Sequence, residues 1–132
     1  MVDLIDTIVY AGRLKDKSAL MSSSSGGAFT ALSDAFLKCG DAVVAAVYNY
    51  ENHTVEFQMI LDEKQRERAK GSKYMQSKPG DIYQEAYHWL MDNPKKELLF
   101  VGMGCQSDGF RKFSEIKGIR DLSLIHIPSP RD

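Results

Sequence analysis

Three short stretches hold residues able to do chemistry. The first, Ser22 to Leu32, reads S-S-S-S-G-G-A-F-T-A-L, so four hydroxyls and two glycines run straight into an apolar helical pattern. The first N–H groups of a helix have no partner inside it, its dipole places partial positive charge there, and glycine lets the main chain approach a ligand. Such a junction can hold an anion, and it can equally be a serine N-cap in an ordinary Ser/Gly loop. The second stretch, Gly71 to Ser77, is a polar loop with one lysine and one tyrosine that packing does not call for. The third joins Glu97–Gly102, a strand pattern, to Met103-Gly104-Cys105-Gln106-Ser107 and then to a helix. Strand, tight turn and helix is how open α/β sheets put ligand-binding groups at the carboxyl ends of strands. A cysteine opening that helix has its thiolate favoured by the helix N-terminus, although a small apolar side chain filling a tight turn is the plainer use of Cys105.

Composition narrows the class of partner. A chain of 132 residues that is 43% hydrophobic and 27% charged can bury a real core as one globular domain or a large piece of one. Its net charge of -1 leaves no electrostatic footprint for nucleic acid or an anionic membrane. No apolar run reaches the length of a membrane span, and Met1-Val2-Asp3-Leu4 lacks the features of a signal peptide, which makes the cytoplasm the expected compartment. Two cysteines, Cys39 and Cys105, suit neither a disulfide scaffold nor a complete four-thiolate site.

The elements that must position these stretches form an α/β pattern: a small mixed sheet with a hairpin and three to four flanking helices. Ile5–Tyr10 is β-branched and aromatic enough for a strand, followed by a polar turn at 12–17. Phe29, Leu32, Ala35, Phe36 and Cys39 recur at helical spacing, which puts Cys39 on a buried face, and Gly40 closes the helix. Ala42–Tyr48 reads as an interior strand covered on both faces, and Thr54–Leu61 as its half-exposed hairpin partner, with a solvated His53 at the tip. Asp62 caps a charged helix over 62–70 whose alternating charges coat a wet face. Ile82, Ala86, Trp89 and Leu90 mark another helix, stopped by Asn93-Pro94, and Phe110, Phe113 and Ile116 mark the last. The chain then ends without a closing element, so it reads as a truncated fragment.

In series, S-S-S-S-G-G-A-F-T-A-L (Ser22–Leu32), R-x-K-G-S-K-Y-M-Q-S (Arg68–Ser77) and L-F-V-G-M-G-C-Q (Leu99–Gln106) resemble the beta subunit family of coenzyme F-420 hydrogenases and dehydrogenases. The resemblance covers roughly Tyr10 to Asp121. It implies a flavoprotein with FAD and 4Fe-4S clusters that transfers electrons between a deazaflavin, ferredoxin or similar carrier and a partner redox subunit. It implies cofactor contacts from Ser23, Ser24, Ser25, Gly26, Gly27, Lys73, Tyr74, Gln76, Gly102 and Gln106, and Cys105 as a cluster ligand. Met103 and Gly104 depart from the family's usual Thr and Pro. The resemblance divides the chain into an N-terminal domain over 1–96, the start of a C-terminal flavin and cluster domain over 97–121, and a foreign or degenerate tail over 122–132.

Two other readings compete with an oxidoreductase fragment that is inactive alone. A non-catalytic adaptor would dock to a redox or polysaccharide-synthesis partner through Tyr83, Tyr87 and Trp89, residues whose helical spacing is first of all that of core. A thiol enzyme built on Cys105 lacks a base, since His53, His88 and His126 all sit in unsuitable contexts.

Overall fold

The structure is a computed structural model that describes residues 8–119. Four strands form one mixed sheet in the order β3-β2-β1-β4. Strand β1 (Ala42–Asn49) and β2 (Thr54–Ile60) make the expected antiparallel hairpin, running from Val43 opposite Ile60 to Asn49 opposite Thr54. Its turn is held by the Asn49 side chain, whose Oδ1 accepts from the N–H groups of Glu51 and Asn52. Strand β3 (Ser77–Lys78) adds parallel to β2, and β4 (Leu98–Phe100) adds parallel to β1.

Alternation along β1 explains why its sequence is continuously apolar. Ala42 and Val44 join Phe57, Leu98 and Phe100 on one face, covered by α4 (Ile82–Asp92) and α5 (Gly104–Ile116) through Ala86, Leu90 and Phe110. Val43, Ala45 and Val47 join Ile60 and Leu99 on the other, covered by α2 (Ala28–Lys38) and α3 (Glu63–Ala69). The sheet is thus sandwiched between two helical layers, with aromatic packing concentrated on the first face. Phe100 stacks on Phe57 and Phe110 with centroids 5.3 and 5.0 Å away, and Tyr83 leans against Phe100, Phe110 and Phe113. Tyr83, Trp89 and Phe113 therefore pack onto the core, which leaves little of α4 as an aromatic docking face.

Several local expectations need correction. Ile8, Val9 and Tyr10 are exposed and belong to no strand, while 5–7 lie outside the described residues, as does the 122–132 tail. A short helix α1 (Lys17–Met21), capped by the Asp16 carboxylate accepting from the Ala19 N–H at 2.7 Å, takes up part of the polar approach to the serine loop. Helix α2 is rotated from its expected aspect. Thr30 and Ser33 are buried, Phe29, Leu32, Phe36 and Leu37 pack on the sheet, and Ala35 and Cys39 face solvent. Cys39 is the C-cap, at the end of the helix where the chain turns away through Gly40 at φ 73°, so its thiol is not a core group. On α3, Asp62 caps as expected, accepting from Gln65 N–H, but Arg66 turns inward. At the end of α5, Ile116 is 85% exposed while Phe110 is fully buried.

Candidate functional site

Strand β4 is three residues long and pairs with Ala42–Val44, so beyond it β1 has no strand neighbour on that side among the described residues. The side chains there, Ala45 and Ala46, are small. A cleft of 340 Å³ opens over them, floored by Val55, Phe57 and Val101. Three chain segments close around it: the serine loop with the first turn of α2, the loop after α3, and the turn from β4 into α5. They are the three stretches singled out in the sequence, which lie about 50 and 30 residues apart along the chain and meet only through the sheet.

Of the residues expected to hold a cofactor, Ser23, Ser24, Ser25, Gly27, Lys73, Gly102 and Gln106 line this cleft. Gly26, Tyr74, Gln76 and Cys105 do not. A Cβ at Gly26 would sit 2.7 Å from the Gly12 carbonyl oxygen, so the absence of a side chain serves the approach of the 12–14 segment, where Leu14 N–H donates to the Gly26 carbonyl at 2.8 Å. Gly27 is the N-cap of α2 at φ 83°, and a Cβ there would fall on Leu14. Neither glycine therefore needs a ligand to explain it. Tyr74 belongs to an adjoining groove, and Gln76 is exposed. Cys105 is an exposed thiol in the first turn of α5.

The serine run divides by role. Ser22 and Ser23 hydroxyls both donate to the Ala19 carbonyl, at 3.0 and 2.7 Å, and Ser23 also bonds to the Thr30 hydroxyl at 3.2 Å. These two fasten α1 to the start of α2. Ser24 and Ser25 remain at the cleft wall with exposed side chains. No serine caps α2, because Gly27 occupies that position without a side-chain bond. The first N–H groups of α2 therefore stay available where Ala28, Phe29 and Thr30 line the cleft.

On the facing wall the start of α5 is ordered by Gln106. Its Oε1 accepts from the Met103 N–H at 3.0 Å, and its Nε2 donates to the buried Ser77 hydroxyl at 2.7 Å, which ties α5 to β3. Tyr83 donates its hydroxyl to the Gln106 carbonyl at 2.8 Å. Burial, with the Cys105 thiolate adding to it, raises the Tyr83 pKa and keeps that phenol a donor. Gly102 leaves room for this arrangement, since a Cβ would lie 3.1 Å from Gln106 Oε1 and Phe100 and 3.2 Å from Phe57.

Lys70 and Lys73 are the cations that line the cleft, and much of the bonding of Lys73 is internal. Its ammonium donates to the Ala69 carbonyl and, at 3.0 Å, to the Lys70 carbonyl, so it closes the C-terminal end of α3. Desolvation lowers its pKa to about 8. Two helix N-termini, several serine hydroxyls and two lysine ammoniums thus border an apolar floor. The arrangement suits a flat apolar ring system whose edge carries carbonyl oxygens or negative charge. Ser72, Met75 and Ser77 also line the cleft; Ser77 was recognisable only as the last residue of its motif, and the floor residues carry no sequence signal beyond their place in strands.

Among the described residues no three Cys, His, Asp or Glu side chains come together. Cys105 alone does not make a cluster site, so these residues by themselves do not fit a 4Fe-4S group. No described helix is long and apolar enough to cross a membrane.

No protein-family model matches the chain, and no curated protein matches its sequence. Among solved structures, the fold is similar to a chain in the xenon-derivatized F-420-reducing NiFe hydrogenase complex of Methanosarcina barkeri, with a TM-score of 0.66 and 23% identity. The match covers 83% of this chain and 38% of that one, and it establishes a shared fold.

Proposed function

We propose that this chain is the ring-binding part of an oxidoreductase subunit, in which a flavin or deazaflavin lies in the cleft and exchanges electrons with a carrier or partner redox subunit. The observation that supports it most is the convergence of the serine loop, the Lys73 loop and the β4–α5 turn on one apolar-floored hollow. The fold shared with a chain of a hydrogenase complex adds to it. The cleft volume of 340 Å³ sits at the low end of the roughly 300–1,000 Å³ range of ligand pockets, the size of a ring system rather than a whole dinucleotide.

When bound, a flavin or deazaflavin supplies the hydride chemistry, so no side chain here has to act as acid or base. The chain's own work is placement. Ala45, Ala46, Val55 and Phe57 exclude water and give the ring an apolar seat. The free N–H groups of α2, with Ser24 and Ser25, orient a polar edge, and Lys73, charged at neutral pH, favours negative charge there. FAD as the particular flavin, a partner subunit or ferredoxin as electron acceptor, and Cys105 as one thiolate of a 4Fe-4S cluster completed by ligands from elsewhere belong to the same proposal.

Titration of riboflavin into the 132-residue chain tests the cleft, followed by quenching of flavin fluorescence. Saturable quenching is expected, and Ala46→Leu, which fills the hollow, should abolish it while far-ultraviolet circular dichroism stays unchanged. No quenching with riboflavin and no binding of its 5-deaza analogue would sink the reading.

A further inference from the structure

The segment 14–26 closes on itself. The Leu14 N–H donates to the Gly26 carbonyl at 2.8 Å and so joins its two ends, as in compact surface loops that pack on their own side chains. Inside it, the Asp16 carboxylate accepts from the Ala19 N–H, and the Ser22 and Ser23 hydroxyls both donate to the Ala19 carbonyl. No residue of 14–26 is buried, so lifting this unit takes no side chain of its own out of a core. It is nonetheless one wall of the cleft, through Ser23, Ser24 and Ser25. Burial begins at Gly27, whose φ of 83° suits it as the point where the unit joins α2.

Among the described residues, two side-chain hydrogen bonds hold the unit down. With the Ser23 proton given to Ala19, the Thr30 hydroxyl is the donor to Ser23, at 3.2 Å. The other bond comes from the end of α3: Lys70 Nζ donates to the Ser22 hydroxyl at 3.0 Å. Lys70 is itself fixed. Its ammonium pairs with Glu67 at 2.9 Å, Glu67 pairs with Arg66, and Arg66 reaches Asp34 on α2, while the Lys70 side chain is only 10% exposed. A donor anchored in the body thus meets an acceptor on a unit that has little else to hold it. The same two walls nearly touch elsewhere, since a Cβ at Gly71 would be 3.7 Å from Ser24 Oγ.

We infer that 14–26 is a flap over the cleft and that Lys70 is its latch: an occupant enters and leaves when the Lys70–Ser22 and Ser23–Thr30 bonds break and the unit swings about Gly27. Breaking them frees hydroxyls and an ammonium, which water can bond once the unit lifts. The internal bonds survive the motion, so the wall moves as one piece. Lys70 is a positioning residue here, acting through Ser22 on the serine loop. The flap serves any occupant of the cleft, and it stands or falls separately from the flavin reading.

A thiol beneath the flap tests this without any ligand. Thr30 lines the cleft, is bonded to Ser23 and is 3% exposed. Thr30→Cys, made in the full chain together with Cys39→Ser and Cys105→Ser, should therefore react with a maleimide only in the open state. Adding Lys70→Met or Ser22→Ala should speed labelling about tenfold, the effect of losing one charge-assisted hydrogen bond. The two together should speed it no more than either alone, and Lys70→Arg should keep labelling slow. Labelling of Thr30→Cys at the rate of the unfolded chain overturns the closed flap, and a rate insensitive to both Lys70→Met and Ser22→Ala overturns the latch. Should Thr30→Cys fail to fold, amide relaxation dispersion over 16–25 decides between the same outcomes. Exchange that grows from the natural sequence to Lys70→Met supports the flap, and identical profiles overturn it.

Discussion

At the scale of single residues, the side chains that look most chemical carry much structural duty. Lys73 shows how both can hold. Its folded pKa of about 8 lies below the 10.5 of an unfolded lysine, so between those values the unfolded chain binds more protons than the folded one. Stability should therefore rise as pH climbs through about 8 toward 10.5, because folding no longer has to bury a charge. A Lys73→Met variant should lose that slope in denaturant titrations run across this range. An anionic ligand changes the sign for binding: it favours the ammonium, so affinity should fall over the same interval. The cysteines make a simpler prediction. Both are exposed, so Ellman's reagent should titrate two thiols in the native chain without denaturant, whereas a buried Cys39 would leave one protected.

At the scale of elements, α2 and α3 are joined by an ion pair that the charge pattern of α3 conceals. Arg66 Nη2 lies 3.1 Å from Asp34 Oδ1 and 3.2 Å from Glu67 Oε1, with the Arg66 side chain 7% exposed and that of Asp34 29%. Among the described residues its Nε and Nη1 have no hydrogen-bond partner. Removing the carboxylate leaves a buried guanidinium with Glu67 as its remaining ion pair, while removing the guanidinium leaves Asp34 with Oδ1 buried but the side chain 29% exposed, so that water can reach part of the carboxylate. Asp34→Ala should therefore cost about 2–3 kcal/mol and Arg66→Met about 1 kcal/mol or less, as read from chemical denaturation midpoints. Equal costs would mean that water already satisfies the arginine. The same region shows why α3 misleads at sequence level. E-K-Q-R-E-R-A looks solvated throughout, and only the closeness of α2 decides which arginine is inside.

At the scale of the whole molecule, the ring cluster centred on Phe100 joins β2, β4, α4 and α5. Phe100→Ala should cost about 3–5 kcal/mol, set against the 5–15 kcal/mol by which domains are ordinarily stable, and so give a thermal transition broadened and lowered by many degrees. An unchanged transition would mean that the cluster is not the core's keystone. Period and punctuation in the sequence determined most elements: the β1–β2 hairpin, the caps at Asp62 and Gly40, the helix stop at Asn93, and the helix after Gly102. They also marked three polar turns as one prospective site. Other features were beyond their reach. The two-residue β3 has no period to read, α1 is too short to show one, and the exposure of Cys39 depends on how α2 is rotated against the sheet. The assembly of Ser24, Lys73 and Gly102 around a single hollow, and the exclusion of Cys105 from it, were decided by tertiary structure alone. Spacing along the chain sets which way a side chain faces within its own element, but the distance between elements follows from sheet order and from where a short strand such as β4 stops.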